Sequence, residues 1–84
     1  IMMYRAKIEV SLKPGYSDPE GETTRQSLRE LKYSVATVSV SKVYDVYFEA
    51  NSRKEAEKQV EEMCRRLLVN PTKDNYQFEI EEVK

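Results

Sequence analysis

Histidine is absent from the chain, tryptophan is absent, and the 84 residues include one cysteine. Each absence removes a class of chemistry. Without imidazole there is no general base tuned to neutral pH, and neither a Ser-His nor a Cys-His pair can form. One thiol makes no internal disulfide. Without histidine or a second cysteine, zinc lacks its usual donors, so no metal is expected. An excess of positive charge is also missing: 14 Lys and Arg stand against 15 Asp and Glu, a net charge of −1. A nucleic-acid binder draws most of its affinity from phosphate neutralisation, so this balance argues against one. There is no long hydrophobic run. The opening "IMMYRAKIEV" has no long apolar core and no cleavage site, so neither a signal peptide nor a membrane span is expected. With a single thiol, the cytoplasm is the expected compartment. No meaning is attached to Ile1 ahead of Met2 and Met3.

Glycine and proline are scarce and unevenly placed. The chain has two glycines and three prolines. Both glycines, Gly15 and Gly21, and two prolines, Pro14 and Pro19, fall within "KPGYSDPEGE" at residues 13–22. A strand-to-helix connection needs only two to six residues and one turn residue. Asp18 followed by Pro19 accounts for half of the stretch as an N-cap and a first helical residue. Lys13, Gly15 and Tyr16 have no such role. A rigid loop holding Tyr16 outward beside a lysine is the expected result, and exposed aromatics on rigid loops are common binding surfaces. Lys13, Gly15 and Tyr16 are therefore candidate partner-binding residues.

The rest of the chain reads as one domain, residues 1–84, with no linker, repeat or low-complexity segment. Residues 4–12 alternate, with Tyr4, Ala6, Ile8, Val10 and Leu12 on one face, which predicts a strand buried on one side. A helix is predicted over 19–33, with a thin stripe of Thr24, Leu28 and Leu31. Residues 35–50, "VATVSVSKVYDVYFEA", are β-rich, and their even positions keep one phase with Lys42 the only charge. A hairpin here lacks glycine or asparagine at its tip. A single strand would run to about 50 Å, too long for one small sheet. Its two halves are then suited to different sheets, one of them shared with another subunit. Val38, Val40, Tyr44 and Val46 are the candidate oligomer interface, in a dimer or a dimer of dimers. Ser52 and Glu55 form a capping box for a helix over 52–68, with Ala56, Val60, Met63, Cys64 and Leu67 as its apolar stripe. Asn70 and Pro71 stop it. A final strand alternates through Tyr76, Phe78 and Ile80. The order β-α-β(β)-α-β predicts an α+β fold with an antiparallel sheet and both helices on one face.

Candidate chemistry has a structural counterpart at each position. Cys64 lies in the apolar stripe, where free cysteine packs as a small hydrophobe. Asp18 and Glu20 make a possible carboxylate pair, but capping already accounts for Asp18. Arg65 and Arg66 suit a phosphate or carboxylate, and equally the carboxyl end of a helix. Neither glycine-rich phosphate pattern is present. Six tyrosines are many for this length. Tyr44 and Phe48 share a strand face, as in base-stacking platforms, but the glycine-aromatic pattern of RNA-recognition folds is missing. A core edge or a subunit interface suits the tyrosines better. No catalytic residue is assigned. A stand-alone small-ligand or RNA-binding α+β module remains the alternative.

Three stretches stand out together: "LKPGYSDPEG" at 12–21, "VSKVYDVYFE" at 40–49 and "EEMCRRLLVNPTKDNYQFEIEE" at 61–82. In combination they resemble the PurS family, the small subunit of phosphoribosylformylglycinamidine synthase. Ser41 stands where the family commonly has glycine, and Val43 where it commonly has an aromatic. The resemblance implies a non-catalytic subunit in de novo purine synthesis. The family's enzyme converts formylglycinamide ribonucleotide, ATP and glutamine to formylglycinamidine ribonucleotide, ADP, phosphate and glutamate. It implies two partners, the synthetase PurL and the glutaminase PurQ, which this chain would bridge. ATP and Mg²⁺ would be used by the complex and not bound by this chain. The loop at Lys13, Gly15 and Tyr16 would then meet a partner subunit, most simply the synthetase.

Overall fold

Alternation in the first twelve residues builds the central strand. The computed structural model describes residues 1–84, which form β1 (Met2–Leu12), α1 (Pro19–Glu30), β2 (Lys42–Ala50), α2 (Arg53–Met63), a π-helical turn (Cys64–Leu68) and β3 (Asp74–Val83). The three strands form one antiparallel sheet in the order β2-β1-β3. Ile8 stands opposite Tyr44 on one side and Phe78 on the other; Ala6 stands opposite Val46 and Ile80. This register puts the apolar positions of all three strands on one face. The other face is polar and is crossed by Arg5, which pairs with Asp45 at 2.7 Å and Glu81 at 3.1 Å.

The core is a cluster of ten residues: Tyr4, Ala6, Ile8, Val10, Ala50, Ala56, Val60, Cys64, Val69 and Ile80. β1 supplies four of them and α2 with its π turn supplies three, so these two elements carry the fold. α2 begins at its predicted cap, with the Ser52 hydroxyl accepting the Glu55 amide at 3.2 Å, but the Glu55 carboxylate accepts from the Gln59 side chain at 3.2 Å, so only the Ser52 half of the capping box forms. Its end differs. Beyond Met63 the helix widens, and the Val69 amide donates to the Cys64 carbonyl at 3.0 Å, five residues back. The wider turn takes up one extra residue. Leu67, which an α-helical stripe would bury, is 84% exposed, and Leu68 packs on the core in its place.

α1 corrects a second expectation. Both helices are present, but only α2 covers the apolar face of the sheet. α1 gives no side chain to the core, and its one buried residue is Gly21. The thin stripe explains this: Leu28 is half-buried and Leu31 is 67% exposed. The helix also stops at Glu30 instead of running to 33. The Tyr33 amide donates to the Leu28 carbonyl at 3.1 Å and the Lys32 amide to the Arg29 carbonyl at 2.9 Å, a Schellman ending. Lys32 takes the left-handed position at φ 75° that glycine usually fills. With no glycine there, the sequence hides the stop.

Between α1 and β2, residues 34–41 form an arm with no regular element and no hairpin turn. Only residues 42–50 of the β-rich stretch pair with β1. The protomer is elongated as a result. Its radius of gyration is 16.7 Å and its extents are 52 × 29 × 14 Å. A compact chain of this length has a radius of about 12 Å. The difference is α1 and the arm standing clear of the two-layer body.

Candidate functional site

The loop after β1 is built by backbone constraints. The Lys13 amide donates to the Lys73 carbonyl at 2.7 Å, which extends the β1–β3 ladder by one step. The Lys13 ammonium donates to the Pro71 carbonyl at 3.2 Å. Lys13 thus ties the start of the loop to the turn before β3, a structural role its sequence position did not signal. Gly15 sits at φ 92° with nothing within 4 Å of a Cβ there, so backbone angle and not space requires glycine. The Tyr16 amide closes the turn on the Lys13 carbonyl at 3.4 Å. The Tyr16 ring is 43% exposed and lies outside the set of side chains packed on the core.

The turn Lys13 reaches is itself tightly bonded. The Asn70 side-chain oxygen accepts the Thr72 and Lys73 amides at 2.9 and 3.3 Å. The Asp74 carboxylate accepts the Asn70 amide at 2.9 Å. Beside it, the Tyr76 hydroxyl donates to Glu61 Oε2 at 2.7 Å and pins β3 to α2. That bond, then burial, raises the Tyr76 pKa above its ordinary value. Burial, and the Glu61 charge after it, raises the Cys64 thiol, so Cys64 is a protonated packing group at neutral pH. Arg65, Arg66 and Leu67 all face outward on the π turn, and neither arginine has a carboxylate partner within the chain.

The four candidate interface residues divide between two settings. Tyr44 and Val46 lie on the inward face of β2 and pack partly on the core. Val38 and Val40 lie on the arm, Val38 half-buried and Val40 39% exposed. No backbone-to-backbone hydrogen bond is made by residues 34–41. β2 is an edge strand, so its outer rim is also unpaired. Apart from the Val40 amide, the arm and the rim present backbone donors and acceptors without a backbone partner, which is a template for strand pairing with another chain.

Asp18 holds the arm in place. One carboxylate oxygen accepts the Gly21 amide at 2.8 Å and the other accepts the Val40 amide at 2.8 Å. The Val40 bond first, and the Gly21 bond second, hold this carboxyl below the usual aspartate value. The sequence marks Asp18 as a helix cap, with a carboxylate pair with Glu20 as the other reading, and neither foresees the bond to Val40. The available signal was Gly21, a poor helix former three residues into a helix.

The model of the family described as "PurS: Phosphoribosylformylglycinamidine (FGAM) synthase" matches residues 5–82. The chain belongs to the PurS family. A PurS subunit of phosphoribosylformylglycinamidine synthase from Archaeoglobus fulgidus is 46% identical over 72 residues, 84% of this chain and 90% of that one. The PurS subunit of Bacillus subtilis is 35% identical over 82 residues, 96% of each. Among solved structures, Thermus thermophilus PurS superposes with a TM-score of 0.86 at 34% identity, covering 98% of this chain and 99% of that one. A chain in the structure of PurLQS from Thermotoga maritima does so with a TM-score of 0.80 at 30% identity, covering 99% and 100%. The PurS fold so matched is the α+β arrangement of three antiparallel strands and two helices described above, and no helix in it is long and apolar enough to cross a membrane.

Proposed function

We propose that this chain is the small, non-catalytic subunit of a phosphoribosylformylglycinamidine synthase acting in purine biosynthesis. The family match over residues 5–82 carries the reading. The likeness to a chain of PurLQS supports a place beside a PurL-type synthetase and a PurQ-type glutaminase. The assembled enzyme would convert formylglycinamide ribonucleotide, ATP, glutamine and water to formylglycinamidine ribonucleotide, ADP, phosphate and glutamate. ATP and Mg²⁺ belong to the synthetase, and ammonia release belongs to the glutaminase. This subunit supplies surfaces that join the two, in the cytoplasm. Its own histidine-free side chains supply no activated nucleophile. The expected result is that the purified chain neither hydrolyses ATP nor deamidates glutamine, and that glutamine-dependent turnover by the two partners falls at least about a hundredfold without it. Steady turnover by the chain alone, or full turnover in its absence, would overturn the reading.

Two surfaces serve that role. The arm and the β2 rim join copies of this chain into a dimer, which can pair again as a dimer of dimers. The loop of Lys13, Gly15 and Tyr16 meets the synthetase. The exposure of the Tyr16 ring supports this, because a ring outside the core has little folding work to do. Tyr16→Ala is therefore expected to move the melting temperature by no more than about 2 °C. Retention of the synthetase in co-purification should fall about tenfold. A clear drop in melting temperature with normal assembly would make the loop purely structural.

A further inference from the structure

Residues 18–21, Asp-Pro-Glu-Gly, do more than start a helix. Asp18 Oδ1 makes the ordinary N-cap bond to the Gly21 amide. Asp18 Oδ2 reaches 22 positions along the chain to the Val40 amide. A Cβ on Gly21 would collide with the Val38 carbonyl oxygen and stand 2.9 Å from Asp18 Oδ2. Glycine at this position lets the arm lie directly on the first turn of α1. The core contributes nothing to this contact, since no α1 or arm side chain belongs to it. The arm makes no backbone-to-backbone bond of its own. The aspartate clasp and the glycine contact are thus its principal anchors. Glu20, Lys42, Lys73 and Asp74 line the groove around the clasp. Hydrogen bonds to an ionised acceptor are stronger than neutral ones, which suits a clasp this exposed to solvent.

We propose that Asp18, together with Gly21, is a positioning residue for self-association. It fixes residues 38–40 on α1 so that the free backbone groups of the arm meet a second copy of this chain in one register. The proposal rests on the reading of the arm as a contact between copies. That occupant is argued from continuity: the unpaired backbone of the arm runs directly into the unpaired rim of β2. Ordering the arm before encounter removes an entropic cost from association. Asp18 also consumes the Val40 N–H, which excludes a pairing register that would need that donor.

Three substitutions separate this role from helix capping. Asp18→Ser retains a cap for Gly21 but has no second oxygen for Val40. Asp18→Asn keeps the shape and one acceptor, and turns an N–H₂ toward the Val40 amide. Gly21→Ala favours the helix by propensity and displaces the arm by contact. Sedimentation equilibrium of the full chain should show the dissociation constant between copies rising about tenfold or more for all three. Helical ellipticity should be retained, and the Val40 amide should exchange faster with solvent. Self-association of Asp18→Ser and Asp18→Asn equal to the wild type would reduce Asp18 to a cap and overturn the proposal. Wild-type association of Gly21→Ala would overturn it independently. A wild-type chain that is monomeric at micromolar concentration would instead overturn the reading of the arm itself, and the proposal with it.

Discussion

Ile8→Ala is expected to lower stability by about 3–4 kcal/mol and the melting temperature by about 15–25 °C. Ile8 is fully buried on the central strand, between Tyr44 on β2 and Phe78 on β3, with α2 over the same face. Truncation removes three carbons from a site walled by two ladders that cannot close inward, so the cavity persists. The effect is large against the whole. A domain of this length has a total stability of about 4–13 kcal/mol, and a core of ten residues belongs near the lower end. The isolated variant should therefore be substantially unfolded at 37 °C. Leu31→Ala is the control: its side chain is 67% exposed and belongs to no core contact, so a change within about 0.5 kcal/mol is expected. Thermal and urea melts followed by circular dichroism check both. A fall of less than about 5 °C for Ile8→Ala would mean that the sheet and α2 do not form the principal core.

What was legible in the sequence follows the strength of each local rule. Residues 4–12 alternate without interruption, and they form the central strand with Tyr4, Ala6, Ile8 and Val10 all in the core. Ser52 with Glu55, and Asn70 before Pro71, name their own helix start and stop. The misreadings occur where a local rule was met by an uncommon residue or broken by one inserted position. Lys32 ends α1 in a left-handed turn without glycine, and the π turn after Met63 exchanges Leu67 for Leu68. Neither event leaves a mark in a periodicity. The long-range bond from Asp18 to Val40 was illegible for a different reason. Capping already satisfied what the residue's position demands, and a second acceptor oxygen carries no sequence signature. The loop at 13–22 answers differently at its two ends. Gly21 is explained by the approach of the Val38 carbonyl, Gly15 by its backbone angle and Lys13 by the Pro71 carbonyl, whereas the Tyr16 ring lies outside the core of the protomer.

Val40→Lys is expected to abolish association between copies at micromolar concentration, a rise in the dissociation constant of about a hundredfold or more. The Val40 backbone is committed to Asp18, but its side chain is exposed and free to change without disturbing the core. A lysine there keeps the clasp and the fold of the protomer. In a contact between two arms it places two ammonium groups, one from each copy, on an apolar surface with Val38. Symmetry doubles the penalty, because any substitution at an isologous contact appears twice. Each charge must then be desolvated at the contact, a cost that the carboxylates of the adjoining groove, Asp18, Glu20 and Asp74, offset only in part. Tyr44→Lys tests the same rim less cleanly, since Tyr44 also packs on the core and its loss would lower protomer stability as well. The two variants should therefore differ in a diagnostic way. Val40→Lys should leave the far-UV spectrum intact while light scattering reports a monomer, whereas Tyr44→Lys should lose both fold and assembly. The melting temperature of the wild type should also rise with protein concentration, as it must when association stabilises the folded chain, and that slope should vanish in Val40→Lys. A dimeric mass for Val40→Lys at micromolar concentration, with an unchanged concentration dependence, would show that copies meet elsewhere and that the open arm has another use.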